Sequence, residues 1–202
     1  MFQGKLEFGP RALGSRSIIG DPRDPEMQKK MNLKIKFRES FRPFAPAVLE
    51  ENFGDWFEFN ENESFNFTNF SPYMLFVAKV KKDKHLKIIK KNKSQDNINQ
   101  ERSKIPAVTH VDFSARIQTV SKKNNPFFYE LIEKFSELTS VTIVINTSFN
   151  IRGEPIVCSP DDALRCFMGT DMDFLVLENF IIDKNDIDQK FKKDYKNKFQ
   201  LD

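Results

Sequence analysis

Residues 141–145, Val-Thr-Ile-Val-Ile, are β-branched throughout. Such side chains are stiff at χ1 and sit better on a pleated surface than in a helix, so the run predicts a buried strand. Helix signals flank it on both sides. Upstream, Asn125-Pro126 marks a helix start, and Phe128, Leu131, Ile132, Phe135 and Leu138 then recur at helical spacing. Downstream, Ser159-Pro160-Asp161-Asp162 supplies an N-cap, a proline at the first helical position and a carboxylate three residues after the cap. That second helix is expected to bury Ala163, Leu164, Phe167 and Met168. A buried strand between two amphipathic helices calls for helices layered on a sheet, so the predicted fold class is α/β, in the mixed α+β sense.

The rest of the chain reads less sharply. Residues 1–24 carry glycines and prolines that mark turns, with a short strand near Ser17–Ile19. A helix is predicted over 25–35, with Pro25 in its first turn, and a strand at Ala47–Leu49. Residues 54–70 mix aromatics with Asn and Glu without a period and read as a loop. "YMLFVAKV" (73–80) predicts a strand. "PAVTHVD" and "ARIQTV" predict two strands about a polar turn. "DFLVLENFII" (173–182) predicts one strand or two, and 183–202 is a polar tail. One domain over 1–182, carrying a basic insert at 81–104, accounts for this layout.

The strand at 141–145 runs into "NTSFNIRGEP", and a buried strand has no structural need for so many small hydrogen-bonding side chains beside an arginine. Three other stretches combine Arg or Lys with small polar residues next to an apolar segment: "FGPRALGSRS", "KIKFRESFRPF" and "THVDFSARIQT". Counting Lys5 and Arg23, which flank the first, the four hold ten cations, Lys5, Arg11, Arg16, Arg23, Lys34, Lys36, Arg38, Arg42, Arg116 and Arg152. The nearby carboxylates are Glu7, Glu39, Asp112 and Glu154. Charges beside a core pair with each other or await an anion. The excess of cations favours the anion, because guanidinium forks suit phosphate and Ser, Thr and Asn add short neutral donors. The chain has neither G-x-x-x-x-G-K-[ST] nor G-x-G-x-x-G. Ser148 has no neighbouring His–Asp pair in sequence, which weakens a hydrolytic triad. His110 near Asp112 reads either as a structural histidine or as a proton shuttle.

Charge bears on partners. The chain carries a net charge of +3. Residues 81–104 alone hold eight Lys and one Arg against two Asp and one Glu, so the remainder is acidic. A run of this kind reads as a solvated insertion before it reads as a nucleic-acid surface. No apolar run approaches the roughly 20 residues that cross a bilayer, and no membrane association is expected. Cys158 and Cys166 stand eight apart, outside any metal-ligand pattern, and read as reduced thiols of a cytoplasmic protein. No protein metal site is expected.

Three long stretches, "GKLEFGPRALGSRSIIGDPRDPEMQKKMNLKIKFRESFRPFAPAVL", "VTHVDFSARIQTV" and "TIVINTSFNIRGEPIVCSPDDALRCF", resemble the C-terminal domain of the NodU/CmcH-type O-carbamoyltransferases. The likeness covers most of residues 2–182, interrupted at 54–70 and 81–104. It implies a YrdC-like fold, a twisted mixed sheet layered with helices. The Lys-x-Arg and Ser-x-Asn elements of that wider group stand here as Lys36-x-Arg38 and Ser148-x-Asn150.

The resemblance also implies a reaction. Carbamoyl phosphate loses its phosphate, and the carbamate attacks the α-phosphorus of ATP to give carbamoyl-adenylate and pyrophosphate. ATP and Mg²⁺ are the implied cofactors. In the family a separate N-terminal domain passes the carbamoyl group to a hydroxyl, and this sequence reads as a C-terminal half without it. Lys36 and Arg38 are expected on the phosphates, and Arg116 and Ser148 on the carbamoyl or phosphate group. Asn146, Asn150 and Arg152 are expected to line the same pocket, with Arg11, Arg16, Arg42 and His110 as further substrate-binding candidates. The competing readings are a non-catalytic nucleotide- or RNA-binding module, and an inactive remnant that docks to a separate transferase domain.

Overall fold

The computed structural model describes residues 1–59, 70–87 and 100–188. The middle of the loop expected at 54–70, the middle of the basic insert and most of the polar tail lie outside the described residues. In chain order the strands are β1 (Ser17–Gly20), β2 (Ala45–Leu49), β3 (Phe57–Glu58), β4 (Val77–Val80), β5 (Ser114–Arg116), β6 (Gln118–Val120), β7 (Ile143–Ser148), β8 (Phe174–Leu177) and β9 (Phe180–Asp183). The helices are α1 (Met27–Lys34), α2 (Phe53–Trp56), α3 (Pro126–Thr139) and α4 (Pro160–Met168). The fold is mixed α/β. The chain divides into two compact units: Met1–Ile18, Lys29–Arg42 and Thr147–Asp202 form the first, and Ile19–Gln28 with Pro43–Asn146 form the second.

A mixed four-stranded sheet has the order β1-β7-β2-β6, and the second unit contains all of β2 and β6 with most of β7. Strand β2 runs parallel to β6, with Ala47 opposite Gln118, and antiparallel to β7, with Ala45 opposite Asn146. All five residues of β2 are buried, which explains its unbroken apolar run. Helix α3 begins where the sequence placed it: the Asn125 side chain accepts from the Phe128 N–H, and Pro126 follows the cap. Phe128 and Ile132 are fully buried, while Leu138 lies in solvent.

Several expected boundaries moved. The strand predicted over 73–80 starts only at Val77, because Met74 adopts a left-handed turn at φ 57°. "PAVTHVD" is not a strand. Pro106–Val108 forms a 3₁₀ turn instead, with the proline, which lacks an N–H, at its start. "ARIQTV" is cut at Ile117: β5 joins a three-stranded sheet, β3-β4-β5, and β6 joins the four-stranded one. Helix α2 and strand β3 lie in the segment read as a loop. The ends of the basic stretch are tied together, Leu86 N–H to Arg102 O and Lys104 N–H to Lys84 O.

In the first unit, β8 and β9 form a hairpin, with Phe2 bridging both to Leu177 and to Arg16. Helix α4 carries the predicted capping box: Ser159 Oγ accepts from Asp162 N–H, and the Asp162 carboxylate accepts from Ser159 N–H at 3.0 Å. Its buried face is Ala163, Cys166, Phe167 and Met168; Leu164, expected inside, is exposed. The start of the other predicted helix also shifted, with α1 beginning at Met27 and Pro25 left in the preceding turn. Among the described residues no helix is long and apolar enough to cross a membrane.

Candidate functional site

The polar tip of the strand that opened the sequence reading lies in the first unit. Strand β7 continues to Ser148, and the chain then turns through Asn150 to Pro155. Asn150 organises the turn. Its Oδ1 accepts from Ser148 Oγ at 2.8 Å, and its Nδ2 donates to Glu154 O at 2.7 Å. Glu154 is itself buried and accepts from Ile151 N–H at 3.0 Å. Gly153, at φ 75°, provides the left-handed residue that the turn requires.

Lys36 enters this turn from just beyond the end of α1 and is 3% exposed. Its ammonium donates to Asn150 O at 2.9 Å, to Asn150 Oδ1 at 2.8 Å and to Ser148 O. Burial, helped by the charge of Arg38, lowers its pKa to about 7. The neighbouring Cys166 thiol is pushed well up by burial, and so stays a neutral thiol. Lys36 is thus the pin of the turn, with its three protons all directed at the chain.

Phe37, at φ 49°, is a non-glycine residue in the left-handed region and separates Lys36 from Arg38. Arg38 donates from Nε to Asn32 Oδ1 at 2.6 Å. The other end of the fully buried Asn32 amide donates to Ser40 O at 3.1 Å and to Arg42 O at 2.8 Å. One buried side chain therefore sets both Arg38 and the loop that carries Arg42. Asn32 was missed by the sequence reading. Its signal was an amide inside a helix, where Asn is a poor helix former, flanked by Met31 and Leu33.

These residues surround an open cleft of about 400 Å³, lined by Lys36, Arg38, Arg42, Ser148, Asn150, Arg152 and the 151–155 turn. Arg152 N–H donates to Lys36 O at 3.3 Å, which fixes the backbone on which its guanidinium is carried. The cleft combines three arginines with hydroxyl and amide groups held by partly buried hydrogen bonds, an arrangement suited to a phosphate-bearing ligand. The structure thus brings together Lys36, Arg38, Arg42, Ser148, Asn150 and Arg152 from the expected set.

Arg11 and Arg16 do not line the cleft. Arg16 is buried, donates to the carbonyls of Gln3, Ser15 and Gly4, and stacks over the Phe2 ring at 3.4 Å. Its surroundings are those of an arginine that ties down the chain near its first residues.

His110, Arg116 and Asn146 belong to the second unit. Asn146 Nδ2 donates to Gln118 Oε1 at 2.6 Å. The two lie on strands either side of β2 and meet over the small side chains of Ala45 and Ala47, their register partners. Arg116 ends β5, opposite Val77. Near it, the Ser114 hydroxyl donates to Asp112 Oδ1 at 2.6 Å and lies 3.0 Å from His110 Nδ1. The Asp112 carboxylate also receives Lys79 Nζ at 2.9 Å. The Ser114 hydrogen bond and the lysine hold the Asp112 carboxyl far below its usual range, so it is an acceptor only. The single hydroxyl proton of Ser114 therefore goes to Asp112, and His110 Nδ1 must be the donor to Ser114. Burial lowers the His110 pKa, leaving a neutral imidazole whose lone pair is on Nε2.

A mixed α/β chain with an arginine-lined cleft at a strand tip defines the class. The chain matches the family described as the carbamoyltransferase C-terminus over residues 1–184, and it belongs to that family. It is 53% identical to the sll1178 protein of Synechocystis sp., covering 96% of this chain and 32% of the relative. It is 43% identical to nodulation protein NolO of Bradyrhizobium diazoefficiens, covering 90% of this chain and 29% of the relative. It is 36% identical to nodulation protein U of Rhizobium tropici, covering 82% of this chain and 24% of the relative. The chain thus spans about a third or less of the length of these relatives.

Proposed function

We propose that this domain activates carbamoyl phosphate with ATP on behalf of a carbamoyltransferase. Carbamoyl phosphate and water give carbamate and phosphate. A carbamate oxygen then bonds to the α-phosphorus of ATP as the bond to the β-phosphate bridge breaks, and pyrophosphate leaves. The remaining two thirds of the relatives' length is proposed to carry the transfer of the carbamoyl group to a hydroxyl. The observation that supports this reading is the cleft itself: three guanidinium groups around Ser148 and Asn150 in a chain of the carbamoyltransferase family.

Adenylyl transfer needs positioning and charge neutralisation more than a protein nucleophile. Arg38, Arg42 and Arg152 are assigned to the phosphates, and the Ser148 hydroxyl to the carbamoyl or phosphate oxygens. Lys36 acts as the cation that holds Ser148 and Asn150 in place and adds positive potential from behind. Arg116, Asn146 and the His110 Nε2 acceptor are proposed to serve the carbamoyl phosphate step. Mg²⁺ is proposed to arrive on the ATP phosphates, the ordinary mode for this hard cation.

The test is pyrophosphate and AMP release by the purified chain from ATP and Mg²⁺, with and without carbamoyl phosphate. Release that depends on carbamoyl phosphate, and that is lost in Arg38→Ala and Ser148→Ala, is the expected result. Absence of carbamoyl-phosphate-dependent release, together with no measurable binding of ATP or pyrophosphate, removes the reading.

A further inference from the structure

Besides the buried Glu154 of the cleft wall, a second carboxylate, Glu39, pairs with two of the cleft's arginines. Glu39 Oε2 accepts from Arg42 Nε at 3.0 Å, and Glu39 Oε1 faces Arg152 Nη1 at 3.9 Å. The backbone sets this up: Arg42 N–H bonds to Glu39 O at 3.3 Å, so the two side chains leave one tight turn together. That turn is held from inside by Asn32, which leaves the Glu39 and Arg42 side chains as the adjustable parts. Glu39 and Arg42 are both more than two-fifths exposed, and the Arg152 contact is at the outer limit of an ion pair. A pair of this kind contributes little to stability and is readily exchanged.

We propose that Glu39 is a displaceable internal counter-ion, which occupies Arg42 and Arg152 until a phosphate-bearing ligand takes its place. The inference rests on the anion-cleft reading above and deepens it. A carboxylate offers two acceptor oxygens to two guanidinium groups, the geometry that two oxygens of a phosphate also offer. Each incoming phosphate group must therefore compete with Glu39 and is opposed by its charge. The carboxylate lowers affinity for anions and keeps the arginines oriented for phosphate while the cleft is open to solvent.

The experiment measures the affinity of the whole chain for pyrophosphate and for inorganic phosphate by calorimetry at low salt, in the parent and in Glu39→Gln. The amide keeps the size and removes the charge. At this exposure the expected result is binding about one-and-a-half- to fivefold tighter for both anions in Glu39→Gln, with an unchanged ligand-free Tm. Glu39→Asp, which keeps the charge on a shorter stem, is expected to stay at or near the parent affinity. Unchanged or weaker binding in Glu39→Gln, with the parent still binding pyrophosphate, overturns the counter-ion role and leaves the cleft reading standing. Failure of both proteins to bind either anion overturns both.

Discussion

Lys36 Nζ donates to both oxygens that Asn150 can offer, its backbone carbonyl at 2.9 Å and its Oδ1 at 2.8 Å. With the Ser148 carbonyl as third acceptor, the ammonium closes a link between residues 112 and 114 positions apart in sequence. The lysine of the Lys-x-Arg element and the asparagine of the Ser-x-Asn element are thus parts of one device.

Lys36→Met is expected to loosen that device. At pH 9 the parent amine, with a pKa of about 7, is uncharged, so the comparison isolates hydrogen bonds from the burial of charge. Removing the amine takes two N–H donors from the partly buried oxygens of Ser148 and Asn150, which is expected to lower stability by about 2 kcal/mol. Denaturant unfolding at that pH checks it. Equal stability of the two proteins would show that the oxygens find other donors.

Asn32→Asp is expected to weaken pyrophosphate binding about tenfold, because the carboxylate still accepts from Arg38 but cannot donate to Ser40 O and Arg42 O. The lost donors would also cost about 1–2 kcal/mol of stability. Calorimetry below the unfolding transition separates the two effects. Parent-like pyrophosphate affinity in Asn32→Asp would reduce Asn32 to a filler of the core.

Where local chemistry decided the structure, the sequence was readable. The Asn125 and Ser159 caps, the β-branched core of β7 and its polar extension to Ser148 all follow from side-chain types a few residues apart. The excess of cations over carboxylates in 34–42, and the small polar side chains that lead to Arg152 in 145–156, were also visible. The failures have long-range causes. Ile117 divides what the sequence presents as one strand because β5 and β6 answer to different sheets, and pairing partners lie dozens of residues away. Met74 is left-handed with nothing in its side chain to announce it. Arg16 resembled the cleft arginines in composition, yet it is enclosed by backbone carbonyls, which carry no sequence signature. Asn32 was visible as an anomaly, and its partners were not.

Ser159→Ala is expected to cost about 1 kcal/mol, because it removes the hydroxyl that accepts from Asp162 N–H. The Asp162 pKa is lowered to about 2, first by the Ser159 N–H and then by the Ser159 hydroxyl. A carboxylate with a depressed folded pKa stabilises the fold above its unfolded value near 3.8, and this contribution fades as pH falls toward 2. The Ser159→Ala loss, measured by thermal unfolding, is therefore expected to be larger at pH 7 than at pH 3. A loss that does not change with pH would separate the cap from the carboxylate.

His110 offers the sharpest pH test. Burial lowers its pKa from 6.5, opposed by Asp112 and assisted by Arg116 and Lys79. The unfolded chain therefore binds the imidazole proton at a higher pH than the folded one. Stability rises with pH through the window below 6.5 and is lost on acidification through it. His110→Gln is expected to flatten that slope. The same geometry fixes the tautomer, since the Ser114 proton is committed to Asp112 and Nδ1 must donate. Nitrogen NMR at pH 7.5 is expected to show Nδ1 protonated and Nε2 bare in the parent. Ser114→Ala removes the acceptor and is expected to give a mixture of tautomers. A parent imidazole protonated on Nε2 would exclude Nε2 as the acceptor assigned to the carbamoyl phosphate step.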